Sequence, residues 1–109
     1  MAGSFKISQS KDGKFFFSLM AENGQVVLSS QRYTAKKNAK DGIESVKKNA
    51  GDDSRYERKQ SKRGAPFFVL KAANAQVIGT SEEYSSAKAM EDGIASVKRL
   101  AKNAVLKEE

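Results

Sequence analysis

The 109-residue chain has no cysteine, no histidine and a single proline, Pro66. Without cysteine there is no disulfide, no thiolate nucleophile and no thiolate metal ligand. Without histidine, the commonest zinc ligand and the one side chain that titrates near neutrality unaided are also missing. Most ready-made catalytic chemistry is therefore excluded, and neither a metal nor a cofactor is expected. No window approaches the roughly 18 apolar residues needed to span a bilayer, and the opening MAGSFKIS has no basic segment followed by an apolar run. These absences lead to the expectation of a cytoplasmic protein with no membrane contact.

What remains is a polar but foldable composition, with 39% hydrophobic and 30% charged residues. The length suits one compact domain, 1–109, and is too short for two ordinary independent ones. A net charge of +7 favours anionic partners in general. The excess is not a basic tail: the chain through Arg55 carries 10 basic and 6 acidic residues, and the remainder carries 10 and 7.

The dominant feature is an internal repeat. DGIESVKKNA, from Asp41 to Ala50, returns as DGIASVKRLA, from Asp92 to Ala101. The same displacement aligns Phe5–Ala50 with Tyr56–Ala101 without a gap, and roughly 21 of about 46 positions are identical. QSKDG pairs with QSKRG, FFSLMAENGQVV with FFVLKAANAQVI, and the segment around Tyr33 with that around Tyr84. The chain thus divides into repeat 1 (5–50), a connector (51–55), repeat 2 (56–101) and a C-terminal tail (102–109).

Within repeat 1, FKIS reads as a strand and Asp12-Gly13 as a two-residue hairpin turn with positive φ at both positions. In KFFFSLMA, Phe15, Phe17 and Leu19 fall on one face, while Phe16, Ser18 and Met20 fall on the other. Asn23-Gly24 signals a second hairpin and QVVLSS a third strand. Thr34 is the expected N-cap of a helix running to about Asn49, because its hydroxyl can accept from a free first-turn amide. Ala35, Ala39, Ile43, Val46 and Ala50 recur at helical spacing, matched by Ser86, Met90, Ile94, Val97 and Ala101. The class is α+β: a β-β-β-α unit written twice, each an antiparallel three-stranded sheet with one helix, packed as one pseudo-twofold domain. A unit of about 50 residues buries too little to be comfortable alone, so the two should share a core as a monomer. Apolar residues on the second face, Phe16 with Met20 and Phe67 with Val69, suggest that each sheet is at least partly covered on both sides. Whether the sheets join or stack is open at this level.

The duplicated pattern of the QSK-G hairpin, F-F-x-L-x-A-x-N, a tyrosine followed by small residues, and DGI-x-SVK resembles the YegP-like family of small bacterial proteins. The resemblance spans essentially the whole chain and implies tandem β-β-β-α repeats in a bacterial cytoplasm. It brings no catalytic or ligand-binding residues with it. Ala75, where the pattern has glycine, puts only a turn in question, since alanine at positive φ costs about 1 kcal/mol.

Several constellations invite a functional reading. RYERKQSKR places Arg55, Arg58, Lys59, Lys62 and Arg63 against one acid, Glu57, and a strand so charged can track a nucleic-acid backbone. Equally, cations on an edge strand discourage aggregation. Phe16 and Phe67 resemble stacking platforms for bases, although packing between repeats accounts for them more simply. Ser10-Lys11 and Ser61-Lys62 are weak candidates for a serine with a lysine base, because neighbouring strand residues point to opposite faces. Asp41, Asp52, Asp53, Glu91 and Asp92 are too dispersed for a carboxylate metal cage. The sequence therefore favours a non-catalytic interaction module, with a low-specificity nucleic-acid binder using Arg55, Arg58, Lys59, Lys62 and Arg63 as the alternative. Gly42 and Gly93, each about 1 kcal/mol worse than alanine inside a helix, are expected to let the helix backbone closely approach the sheet or the other repeat's helix.

Overall fold

The computed structural model describes residues 3–108. Expectations resting on Met1 and Ala2 at the start of the chain, and on Glu109 at the end of the tail, lie outside the described residues. Three strands, β1 (Ser4–Gln9), β2 (Phe15–Met20) and β3 (Val26–Ser29), lead into α1 (Lys36–Asn49). A short 3₁₀ turn at Asp53–Arg55 precedes the second set, β4 (Tyr56–Gln60), β5 (Pro66–Lys71) and β6 (Val77–Thr80), which lead into α2 (Ala87–Ala101). A last strand, β7 (Val105–Glu108), ends the chain.

The two repeats join edge to edge in one seven-stranded sheet of order β4-β5-β6-β3-β2-β1-β7. The seam is an antiparallel pair between Ser29 and Thr80. These residues occupy the same position in the two repeats, as do Asp41 and Asp92, so a residue pairs with its own counterpart. That is possible only on a twofold axis, and the pseudo-symmetry axis therefore runs through this pair, perpendicular to the sheet. Such an axis sends both helices to the same side. The narrow seam is reinforced there: α1 packs on β2 but also on β5 and β6 of the other repeat, and α2 on β5 but also on β3.

A single core results. Phe5, Phe17, Leu19 and Leu28 from one repeat and Tyr56, Phe68 and Leu70 from the other meet Ile43, Val46, Met90, Ile94 and Val97 of the helices. Removing one such side chain from water stabilises the fold by roughly 1.5–3 kcal/mol. Four of the five residues of each helical stripe are buried, while the first, Ala35 or Ser86, is exposed at the helix start. The expected shared core is thus present. Each repeat also stacks three rings: Phe5 edge-on to Phe17 and Phe17 flat on Tyr33, with centroids 6.0 and 6.3 Å apart, repeated by Tyr56, Phe68 and Tyr84 at 5.7 and 6.2 Å.

The helix glycines now have a specific neighbour. A Cβ on Gly42 would lie 2.6 Å from the Tyr33 hydroxyl and 2.8 Å from Phe17 Cε2, and one on Gly93 would lie 2.6 Å from Tyr84 Cζ. Each tyrosine sits just upstream of its own helix and brings its hydroxyl end against the helix glycine, which links the tyrosine and the DGI of the repeated motif. At the axis the repeats deliberately differ. A Cβ on Gly79 would lie 2.6 Å from Leu28 Cδ2, so the single leucine fills the space that two symmetric leucines would contest.

Four expectations need correction. The hairpins are not two-residue turns with two positive φ values: Gly13, Gly24, Gly64 and Ala75 alone among the described residues have positive φ, and Asp12 and Asn23 do not. Amides of Gly13 and Gly24 donate back to Ser10 and Ala21 carbonyls, and the glycine supplies the left-handed position of a three-residue loop. Thr34 is not the cap of α1. The N-cap is Ala35, without a side-chain hydrogen bond, whereas its counterpart Ser86 accepts from the Ala89 amide at 3.0 Å. The sheet is not covered on both sides, because a perpendicular axis leaves both helices on one face. Finally, residues 105–108 of the tail form β7, parallel to β1.

Candidate binding surface

The structure scatters the basic cluster. Alternation along β4 turns Arg58 toward the helices, where its guanidinium grips Glu91 through Nε at 2.6 Å and Nη2 at 3.0 Å and reaches Asp53 at 3.2 Å. Lys98 donates to the same Asp53 carboxylate at 2.8 Å. Hydrogen bonds from Lys98 and Arg58 hold Asp53 below its ordinary pKa, and Arg58 does the same for Glu91. Those two carboxylates raise Arg58 in turn. Arg55 donates to Asn49 Oδ1 at 3.2 Å, beside Asp52. Lys59 points the opposite way, to the helix-free face. Lys62 and Arg63 lie in the turn between β4 and β5, where Arg63 contacts Glu83 at 2.5 Å. Three acids thus occupy Arg58 and Arg63, and no single patch unites the five residues.

The other candidates are equally dispersed. Ser10 Oγ donates to Asp12 and to the Lys14 carbonyl, and Ser61 Oγ accepts from the Ala65 amide, so both serines serve hairpin turns. Lys11 and Lys62 are exposed. Asp52 caps the 3₁₀ turn through Ser54, and Asp92 pairs with Lys88. No group of carboxylates able to hold a metal occurs among the described residues, and no helix is long and apolar enough to cross a membrane.

What sequence reasoning missed is the helix-free face. Strand register carries one row across all seven strands: Glu57, Val69, Thr80, Ser29, Ser18, Lys6 and Lys107. The flanking positions add Phe67 beside Lys59, and Phe16 beside Ser8, with Met20 and Val26 on one side of the axis and Lys71 and Val77 on the other. Phe16, Met20, Val26, Phe67 and Val77 are half-buried with no helix above them. Register breaks at Val27 and Ile78, where one residue is skipped, bend the inner strands and strengthen the local twist. Among the described strand residues, Lys6, Lys59, Lys71 and Lys107 fall on this side together with Glu57. Lys71 pairs with Glu57 and keeps its carboxyl below the ordinary value. The signal for this face was present in the second-face apolar residues of β2 and β5, which the sequence assigned to packing between the repeats.

Comparison with known proteins agrees with this architecture. A family described as a domain of unknown function, DUF1508, matches twice, at residues 10–57 and 61–108. A UPF0339 protein of Acinetobacter baylyi is 50% identical over 108 residues, covering 99% of this chain and 97% of that one. YegP of Escherichia coli K12 is 49% identical over 98 residues, covering 90% and 89%. The solution structure of the E. coli protein, described as being of unknown function, superposes with a TM-score of 0.94 at 45% identity and covers 100% of this chain and 94% of that one. A UPF0339 protein of Shewanella oneidensis gives 0.93 at 44% identity, covering 99% and 92%. None of these names assigns an activity. With a duplicated sheet built on one axis, a tyrosine locked on a helix glycine in each half, and relatives alike over nearly their whole length, the chain belongs to the YegP-like UPF0339 family of tandem DUF1508 repeats.

Proposed function

We propose that the chain is a non-catalytic interaction module, a cytoplasmic monomer without metal or cofactor, that binds a partner on its helix-free sheet face. The observation that carries this reading is the set of half-buried apolar residues Phe16, Met20, Val26, Phe67 and Val77, which flank the central row on a face that no helix covers, while the other face carries the core. Large apolar side chains left without a covering element mark a candidate interaction surface. Co-purification from native extract with the wild type and with a Phe16→Ser, Phe67→Ser variant tests it. The partner should be lost from the variant while the fold persists. A partner held equally by both, or a turnover that survives careful purification, overturns it.

A second reading, low-specificity nucleic-acid binding, draws support from the same face, where Lys59 stands beside Phe67 and Lys6, Lys71 and Lys107 share the surface. It shifts the expected contacts from the Arg55 to Arg63 stretch to Lys6, Lys59, Lys71 and Lys107, with only Lys59 in common. Binding of a single-stranded oligonucleotide at about 50 mM salt, weakening steeply as salt rises, would support it. Its absence there sinks it.

A further inference from the structure

The pseudo-twofold axis leaves one strand without a counterpart. It maps β1 onto β4, β2 onto β5, β3 onto β6 and α1 onto α2, but β7 onto nothing. β7 lies on the outer edge of β1 and runs parallel to it, pairing Ser4 with Val105, Phe5 with Leu106 and Lys6 with Lys107. The amide of Val105 donates to the Gly3 carbonyl at 3.2 Å. The symmetric position is the outer edge of β4, which among the described residues pairs with β5 alone. We infer that this edge is a docking site for an extended peptide segment of a partner protein, added as an eighth strand parallel to β4 in the register that β7 uses on β1.

Backbone geometry supports the assignment. β4 makes five consecutive pairs with β5 without a break, while the register shifts lie in the inner pairs. Of the devices that guard an edge, β4 lacks a bulge and a proline, the chain's one proline being in β5, and keeps only charge, with Lys59 turned to the helix-free face. Arg58, the longest side chain on the edge, is drawn inward by Glu91 and Asp53. On β1, Leu106 stands beside Phe5, which is fully buried. On β4 the equivalent neighbour of Tyr56 is missing, and Tyr56 keeps 6% of its surface exposed.

Register also gives the ligand's chemistry. The residue opposite Tyr56 takes the place of Leu106 and should be apolar. The next, opposite Glu57, takes the place of Lys107. On β1 that lysine stands across from Lys6, a like charge, whereas on β4 a lysine would meet the Glu57 carboxylate and share it with Lys71, the favourable cross-strand combination. The site therefore fits an apolar residue followed by a basic one, recognised through main-chain hydrogen bonds as in other strand additions. It adjoins the helix-free face at Glu57 but is built on the strand edge, and it stands whether or not that face binds anything.

A synthetic peptide with the sequence of residues 102–109, Lys-Asn-Ala-Val-Leu-Lys-Glu-Glu, is the probe, titrated to about 1 mM into isotope-labelled full-length chain. Amides of Tyr56–Gln60 should shift saturably, and their hydrogen exchange should slow by about tenfold at saturation. A peptide with glutamate in place of its second lysine should bind about fivefold more weakly, and Glu57→Lys should reverse that preference. Three results overturn the inference: no shift in β4, shifts confined to β1 and β7, or equal binding of the two peptides. Self-association through β4 in the absence of peptide also overturns it, because the edge would then serve a second copy.

Discussion

Replacing Gly93 by alanine sets two effects of known size against each other. In the interior of α2, alanine is intrinsically better than glycine by about 1 kcal/mol. Against this, the new Cβ would lie 2.6 Å from Tyr84 Cζ and 3.3 Å from Phe68 Cε2, with the phenolic oxygen closer still. Tyr84 has no easy retreat, because its ring lies flat on Phe68 at 6.2 Å and 11°, and Phe68 is fully buried. Overpacking of this kind costs about 1–3 kcal/mol, and disturbing the ring pair adds about 0.5–1.5. The clash should therefore win. The expected net destabilisation is about 1–2 kcal/mol, or roughly 5–10 °C in Tm. Urea and thermal denaturation followed by circular dichroism would measure it. The control is Tyr84→Ser, in which the obstructing ring is gone and the same Gly93→Ala change should become neutral or stabilising. A higher Tm for Gly93→Ala in the intact chain would refute the tyrosine lock.

Three further outcomes follow from local geometry. Ala75 holds φ at 71°, where Gly24 occupies the equivalent position of repeat 1, so Ala75→Gly should stabilise by about 0.5–1 kcal/mol in urea denaturation. Ala35 already has the extended backbone of an N-cap, with φ −132° and ψ 147°, so Ala35→Ser should add about 1 kcal/mol by supplying the oxygen that Ser86 provides in α2. Asp53 and Glu91 are depressed below 3.8 and 4.5 by Arg58 and Lys98, so the folded state holds their protons more weakly than the unfolded chain does. Their contribution is complete above those ordinary values and disappears as pH falls through the folded ones. Tm should therefore drop on acidification below about pH 4, and Arg58→Met should make that drop shallower. An unchanged acid limb in the variant would contradict the ion-pair assignment.

Much of the architecture was legible because it repeats. Period-two alternation in FFFSLM and helical spacing from Ala39 to Ala50 each appeared twice, and each copy checked the other. Features that occur once were harder to read. β7 has four residues and lies beyond the aligned copies 5–50 and 56–101, and its pairing with β1 spans almost the whole chain. The seam rests on a single pair, Ser29 with Thr80, and neither residue announces an edge contact. The hydroxyl of Thr34 misled because the cap lies two residues after the tyrosine, where repeat 1 has alanine and only repeat 2 has serine. The basic stretch illustrates the limits of counting: five cations in nine residues look like a patch, yet strand alternation sends Arg58 and Lys59 to opposite faces and acids claim Arg58 and Arg63. Phe16 and Phe67 were recognised as a matching pair, but their exposure depends on which side the axis places the helices, and only the fold decides that.

The central claim is that the helix-free face is where partners bind. Site-specific photo-crosslinking in living cells tests it most directly, with the photoreactive residue placed at Phe67 in one protein and at Lys37, exposed on α1, in another. The account predicts discrete crosslinked products from position 67 and none from position 37, with ribonuclease and protease sensitivity telling a nucleic acid from a protein. Products from position 37 alone would contradict it.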